Sequence, residues 1–148
     1  EFNARFGDPE TEAVLPRIGG DLIPALQACI DGTLSDALIK VRPEVAATVI
    51  MAAGGYPGHY KKGTPITGLA EAARIPNSRV FHAGTALKDG QVVTSGGRVL
   101  AVTALGKDLK TAVGHAYEAV AKIRFEGAQF RKDIAHRAFG REESEPRS

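Results

Sequence analysis

The segment Glu1-Phe2-Asn3-Ala4-Arg5-Phe6-Gly7-Asp8-Pro9-Glu10 decides how the rest of the chain is read. In an extended strand, successive side chains point to opposite faces. Phe2, Ala4 and Phe6 then share an inward face, and Glu1, Asn3 and Arg5 share the other. In a helix, which turns about 100° per residue, Asn3 diverges from Glu1 and Arg5, so only the strand makes sense of the pattern. Glu1 and Asn3 offer a carboxylate and an amide carbonyl two residues apart. That pair suits a hard divalent cation, usually magnesium, that also holds phosphate oxygens. The neighbouring guanidinium of Arg5 suits a carboxylate or phosphate in bidentate geometry. A solvated strand face is the competing reading of Glu1 and Asn3, and a pairing with Asp8 or Glu10 is the competing reading of Arg5. Pro9 lacks a backbone donor and ends the strand.

Bulk properties narrow the classes. The chain has 148 residues, 43% hydrophobic and 24% charged, which suits one soluble domain with a well-buried core. The formal charge is only +2, with 19 basic residues interleaved among 17 acidic ones, so no nucleic-acid partner is expected. No apolar run approaches the roughly 18 residues of a membrane span. The single cysteine, Cys29, rules out a disulfide framework and agrees with a reducing, cytoplasmic compartment. Flanked by apolar residues on a helix, Cys29 is expected to be buried. His82, next to Phe81 in a strand, reads as a core histidine, and His59, His115 and His136 are not spaced as a metal set. No catalytic triad, Cys-His pair or phosphate-binding Walker pattern is legible.

The element pattern predicts an α+β fold. Thr11 to about Arg17 reads as a short helix limited by Pro16. Gly19-Gly20 breaks the chain, Asp21 is a candidate N-cap, and Leu22, Ile23, Ala25, Leu26, Cys29 and Ile30 form an apolar stripe that Gly32 stops. Val45 to Ala52 reads as a buried strand. Residues 54–68 hold five glycines and two prolines, a long loop of the kind that is often functional. A strand over Arg79 to Leu87 leads into Lys88-Asp89-Gly90-Gln91, where Asp-Gly favours a type I′ hairpin. Val92 to Thr94 returns, Gly96-Gly97 turns again, and Arg98 to Ala104 forms a fourth strand. Lys107 to Ile123 is the clearest helix, with Leu109, Ala112, Val113, Ala116, Val120 and Ile123 on one face. Residues 141–148 lack apolar anchors and are expected to be a disordered tail.

Several blocks together carry a resemblance. The opening Glu-Phe-Asn-x-Arg-Phe-Gly-Asp-Pro-Glu resembles the metal-binding strand of the phosphoribosylamine–glycine ligases, members of the ATP-grasp ligases. Further blocks follow in family order: Val49-Ile50-Met51-Ala52 with Gly55-Tyr56-Pro57-Gly58-His59-Tyr60-Lys61-Lys62-Gly63; Val80-Phe81-His82-Ala83-Gly84-Thr85; Thr94-Ser95-Gly96-Gly97-Arg98 running to Ala104; and Phe125-Glu126-Gly127 with Phe130-Arg131-Lys132-Asp133-Ile134. They span residues 1 to about 139. Local departures exist. The chain has Ala52-Ala53 where the family usually has Ala-Ser, Arg42 near a common Trp, and Asp133-Ile134-Ala135 where the family often has Asp-Ile-Gly.

The resemblance implies a division into residues 1–32, the end of an ATP-grasp domain, and residues 33–140, a mostly antiparallel sheet domain covered by helices. It implies a ligase that joins glycine to 5-phosphoribosylamine with ATP, through a glycyl phosphate, in purine biosynthesis. Glu1 and Asn3 would hold the magnesium or manganese that bridges ATP phosphates. Arg5 would hold an anionic substrate group near the transferring phosphoryl. Asp8 and Glu10 would recognise glycine's ammonium or orient Arg5, although Asp8 also suits a cap on the turn into Pro9. Lys62 and Arg98 would approach the ribose phosphate, the glycines beside Arg98 allowing close backbone approach. A solvated Lys62 and a strand-end Arg98 paired with Asp89 or another carboxylate are the plainer readings. The chain opens inside what reads as a core strand, so a carboxy-terminal piece of a longer enzyme is expected, with most of the nucleotide pocket in the missing amino-terminal part. Two rivals remain: another ATP-grasp enzyme, such as a biotin-carboxylase-like one, and a non-catalytic binding module when expressed alone.

Overall fold

The computed structural model describes residues 4–142. From a bend at Ala4–Arg5 the chain enters α1 (Thr11–Val14), which tightens into a single 3-10 turn at Leu15–Arg17. Pro16 sits inside that turn, as the sequence predicts. Strand β1 (Ile18–Gly19) leads to α2 (Ile23–Asp31), whose N-cap is Leu22 rather than Asp21; Asp21, one residue earlier, accepts from the Ile23 N–H at 2.9 Å through Oδ1. Gly32 ends α2 in the left-handed conformation, where a side chain would be strained. Strand β2 (Lys40–Val41) pairs antiparallel with β1.

The main sheet follows. Its strands are β3 (Val45–Ala52), β4 (Ser78–His82, reached through α3, Leu69–Ala72) and, beyond the hairpin β5 (Thr85–Lys88) and β6 (Gln91–Thr94), β7 (Arg98–Gly106). The order is β3-β7-β4, and every pairing is antiparallel. Asp89 and Gly90 both have positive φ, 49° and 77°, as a type I′ turn requires. Helix α4 (Leu109–Val120) starts at Asp108, whose carboxylate accepts from the Thr111 N–H at 2.7 Å. Helix α5 (His136–Glu142) closes the described chain. The fold is α+β, and no helix among the described residues is long and apolar enough to cross a membrane.

Central strand β7 explains the layering. Val99 to Ala104 are consecutively buried, so both faces of the strand are covered. Leu100, Val102 and Ala104 lie opposite Met51, Val49 and Ala47, and α4 packs Ala112, Ala116, Ala119 and Val120 on that side. The other face carries Thr48 and Thr103, directly paired, with their hydroxyls 2.7 Å apart. There Thr103 Oγ1 donates to the Glu12 carbonyl at 2.9 Å, so α1 caps this face.

Several readings are corrected. Among the described residues no strand includes Ala4–Phe6, and Phe6 is 63% exposed. An extended segment without a ladder partner has no hydrogen bonds to hold it flat. Helix α2 is apolar around much of its circumference, so its stripe does not fix one inward face. Ala25 and Ala28 are buried, while Ile23, Leu26, Ile30 and Cys29 face outward. His82, at the end of edge strand β4, is exposed, and its Nδ1 lies 3.1 Å from Thr85 Oγ1. The strand read over Arg79 to Leu87 breaks at Ala83-Gly84, whose amides bond to the Val99 and Arg98 carbonyls instead of continuing one ladder. Helix α5 has too little periodic apolar sequence to be read in advance.

The segment between α4 and α5 is held by Tyr117, whose hydroxyl donates to the Arg131 carbonyl at 2.8 Å and accepts from the Ile134 N–H at 3.1 Å. Arg131 forks onto Asp133, with Nε to Oδ1 at 2.9 Å and Nη2 to Oδ2 at 2.6 Å. That fork holds the Asp133 carboxyl down at about 2, from an ordinary 3.8. Its contribution to stability is therefore complete above about pH 4 and lost as pH falls through about 2. In Arg131→Ala, the Asp133 carboxyl followed by NMR is expected to titrate near its ordinary value; an unchanged midpoint would show that the fork is not the cause. Ala135 next door sits at φ 67°, where a Cβ costs roughly 1–2 kcal/mol. Ala135→Gly is expected to raise stability in urea unfolding by roughly 0.5–1 kcal/mol, after the extra freedom of glycine in the unfolded chain is set against the relieved strain.

Candidate functional site

Two glycine contacts build the turn that presents Arg98. A Cβ on Gly96 would come within 2.9 Å of Gly84 Cα, and one on Gly97 within 2.1 Å of the Tyr56 ring. The backbone closes the same contact: Gly84 N–H donates to the Arg98 carbonyl (2.8 Å), Ser95 and Gly96 N–H to the Gly84 carbonyl (2.8 and 3.1 Å), and Ala53 N–H to the Gly97 carbonyl (2.8 Å). The missing side chains of Gly96 and Gly97 are thus filled by protein. Their smallness serves packing, which corrects the reading of these glycines as a close approach for a ligand.

Arg98 leaves this fixed turn and meets the amino-terminal signature. Its Nη2 lies 3.3 Å from Asp8 Oδ2, and its Nη1 donates to the Asp8 carbonyl at 3.4 Å. Both distances are long, both side chains are about half exposed, and a guanidinium has five N–H donors. The contact aims Arg98 without saturating it. Ninety residues of sequence separation are closed by this pair. Asp8 is therefore engaged by Arg98, not by Arg5, whose Nη1 donates to the Phe6 carbonyl at 3.2 Å. Glu10 folds back over Gly7, since a Cβ there would lie 1.6 Å from Glu10 Oε1. The Gly7 carbonyl accepts from the Thr11 amide at 3.2 Å and also from the Thr11 hydroxyl, which fixes the entry into α1.

The Gly-rich loop adjoins the same turn. Tyr56 packs on Gly97 and meets Tyr60 edge-on with centroids 6.2 Å apart; Lys62 Nζ stands 6.0 Å from the Tyr60 centroid. Arg98 thus meets Asp8, and the Tyr56 ring lies against Gly97, the residue before Arg98, with Tyr60 and Lys62 beyond it. Lys61, not singled out from the sequence, pairs with Glu126 at 3.2 Å and lines a 160 Å³ cavity with Ala53, Gly54, Thr64, Thr94 and Gly127. No local signal links Lys61 to Glu126, because 65 residues separate them. Glu1 and Asn3 lie outside the described residues, among which no group of three or more His, Cys, Asp or Glu is arranged to hold a metal. As a donor set, a carboxylate and an amide oxygen fit a hard divalent cation.

An α+β domain that joins an acidic amino-terminal signature to a Gly-Gly-Arg turn defines the class, and residues 46–137 match the family model described as Phosphoribosylglycinamide synthetase, C domain. That match covers more than half of the chain, which therefore belongs to this family. Among its relatives, a phosphoribosylamine–glycine ligase from Synechocystis is 52% identical over 93% of this chain, and one from Pseudomonas aeruginosa is 50% identical over 98%. The trifunctional purine biosynthetic protein adenosine-3 of Gallus gallus is 53% identical over 93% of the chain. A crystal structure of a phosphoribosylamine–glycine ligase from Thermotoga maritima superposes with a TM-score of 0.75 at 36% identity, covering 90% of this chain and 32% of that one. The chain spans 33% and 34% of the two bacterial relatives' lengths and 14% of the Gallus protein's.

The half-exposed ion pair contributes little to folding, since such pairs are worth about 0–1 kcal/mol. Asp8→Asn is expected to leave urea stability within that margin while loosening Arg98, seen as a shifted and sharpened Arg98 side-chain NMR signal. A stability loss well above 1 kcal/mol would instead make the pair a structural clamp.

Proposed function

We propose that this chain is the carboxy-terminal part of an ATP-dependent carbon–nitrogen ligase that joins glycine to 5-phosphoribosylamine. The observation that carries the reading is the Asp8–Arg98 contact: the segment resembling the metal-binding signature meets the turn nominated for phosphate, in a chain of this family. Residues 1–32 belong to the ATP-grasp portion, and residues 33–140 to the following domain, whose last helix α5 runs on to Glu142 against the expected tail over 141–148. The rest of the nucleotide pocket lies in an amino-terminal part of the same enzyme, consistent with relatives about three times as long. The protein works in the cytoplasm, in purine biosynthesis.

The chemistry asks for positioning. A carboxylate is a poor acyl donor because its leaving group would be oxide. Phosphorylation by ATP gives glycyl phosphate and ADP; the ribosylamine nitrogen then attacks the carbonyl carbon, the C–O bond to phosphate breaks, and the nitrogen loses a proton. Holding the reactants together supplies roughly 7–11 kcal/mol of the barrier. Arg5 holds an anionic group beside the transferring phosphoryl. Asp8 and Glu10 set the charge around glycine's ammonium and Arg5. Arg98, aimed by Asp8, and Lys62 receive the ribose phosphate. Glu1 and Asn3 hold magnesium or manganese, which when bound supplies neutralisation of phosphate charge.

The test uses a chimera in which this chain replaces the matching third of the Synechocystis relative. Release of ADP that depends on both glycine and 5-phosphoribosylamine is expected. Glu1→Ala in the chimera is expected to lower turnover by roughly 10²-fold or more, with an unchanged circular dichroism spectrum. A folded chimera without turnover would count against the activity, and a near-normal Glu1→Ala would count against the metal assignment. The 148 residues alone are expected to show no ligase turnover.

A further inference from the structure

A second polar cavity of 440 Å³ lies at the opposite end of β7. Arg98 begins that strand, whereas Thr103 and Leu105, which line the cavity, lie five and seven positions along it. At about 3.3 Å per residue the two places are roughly 17–23 Å apart. Three arginines from three separate segments line this cavity: Arg42 just after β2, Arg74 in the turn after α3, and Arg79 on edge strand β4. Arg79 pairs directly with Thr103 in the sheet, so it stands on the face that α1 covers, at the open edge where that cover stops.

The support is rigid. Ser78 Oγ donates to the Ile75 carbonyl at 2.9 Å, and the Asn77 carbonyl accepts from the Leu105 N–H at 2.9 Å, which fixes the turn between Arg74 and Arg79. From the other side the Arg42 carbonyl lies 3.5 Å from Arg17 Nη2, and the Arg42 amide donates to the Arg17 carbonyl at 2.7 Å. All three guanidiniums are exposed, and among the described residues none forms an ion pair. Glu44, two residues from Arg42, and Glu12, on α1, each bury an oxygen that meets no hydrogen-bond partner, and neither pairs with these arginines. No acidic residue lines the cavity. Three uncompensated like charges around one cavity repel each other and raise the local concentration of anions.

We propose that this cavity binds a small phosphorylated metabolite carrying at least two negative charges, held by forked contacts from Arg42, Arg74 and Arg79. The volume suits a sugar phosphate or a nucleoside phosphate, and guanidiniums match phosphate oxygens in bidentate geometry. The site is separate from the Arg98 turn.

The test is calorimetric titration of the purified protein at 0.15 M salt with inorganic tripolyphosphate, ADP and ribose 5-phosphate. Saturable binding of tripolyphosphate and of at least one organic phosphate that depends on the cavity's arginines is expected. Arg74→Ala/Arg79→Ala is expected to weaken that binding at least tenfold, Arg79→Lys to weaken it less, and Lys88→Ala, on the exposed β5–β6 hairpin, to leave it unchanged. ADP binding tighter than ribose 5-phosphate assigns a nucleotide, and the reverse order a sugar phosphate. The proposal is overturned if the double variant, shown by circular dichroism to be folded, binds as well as the parent, or if neither organic phosphate binds.

Discussion

The structure depends on one buried hydroxyl. Thr103 is 2% exposed in the middle of an otherwise aliphatic strand. A buried hydroxyl without a partner costs about 1–3 kcal/mol, so its hydrogen bonds are obligatory in practice. Its proton goes to the Glu12 carbonyl, which leaves Thr48 as donor in the contact between the two threonines. This ties α1 to the face of the sheet that α4 does not cover. Arg17 extends the attachment, its Nε donating to the Glu44 carbonyl at 2.9 Å. From this anchor at Thr103 the amino-terminal segment runs back toward the beginning of β7. There Asp8 meets Arg98. A packing requirement in the sheet thereby sets where the acidic signature ends up.

The functional side chains sit on supports of unequal stiffness. Arg98 leaves a turn clamped by Gly84 on one side and Tyr56 on the other. The lysines ride on a loop of five glycines, tied down through aromatic contacts and a Lys61–Glu126 pair that is about three-quarters exposed at both ends. In the proposed reading, the clamped Arg98 would define an anion's position, and Lys62, on the neighbouring loop, would add a second charge.

Much of this was legible in the residues. The β-branched run Val45 to Ala52, the Asp-Gly turn and the apolar face of Lys107 to Ile123 each carry a local signal that tertiary context did not override. Gly32 ends α2 as its conformational freedom allows, and Asp21 bonds to the first helical amide from one position before the N-cap Leu22. What could not be read were facts about faces and distance. Helix α2 has apolar residues on two sides, and periodicity cannot say which is inward. The Asp8–Arg98 pair spans ninety residues, so candidates were nominated at both ends without the sequence joining them. Lys61 and Lys62 are adjacent and chemically alike; only their partners, Glu126 and the Tyr60 ring, separate them. Burial expected of Cys29 and His82 from residue-type averages fails because both lie where a strand edge or helix flank faces outward.

The back-to-back contact of Gly84 with Gly96 has a bearing on how this region can drift. A methyl on either glycine would land on the main chain of its neighbour, and main chain has no alternative rotamer to offer. Enlargement at one site cannot be compensated by shrinkage at the other, because neither has anything left to give up. Neutral exploration of new amino acids is therefore closed at both positions together. Randomised libraries around Arg98 should leave this pair alone and diversify the Tyr56–Lys62 loop.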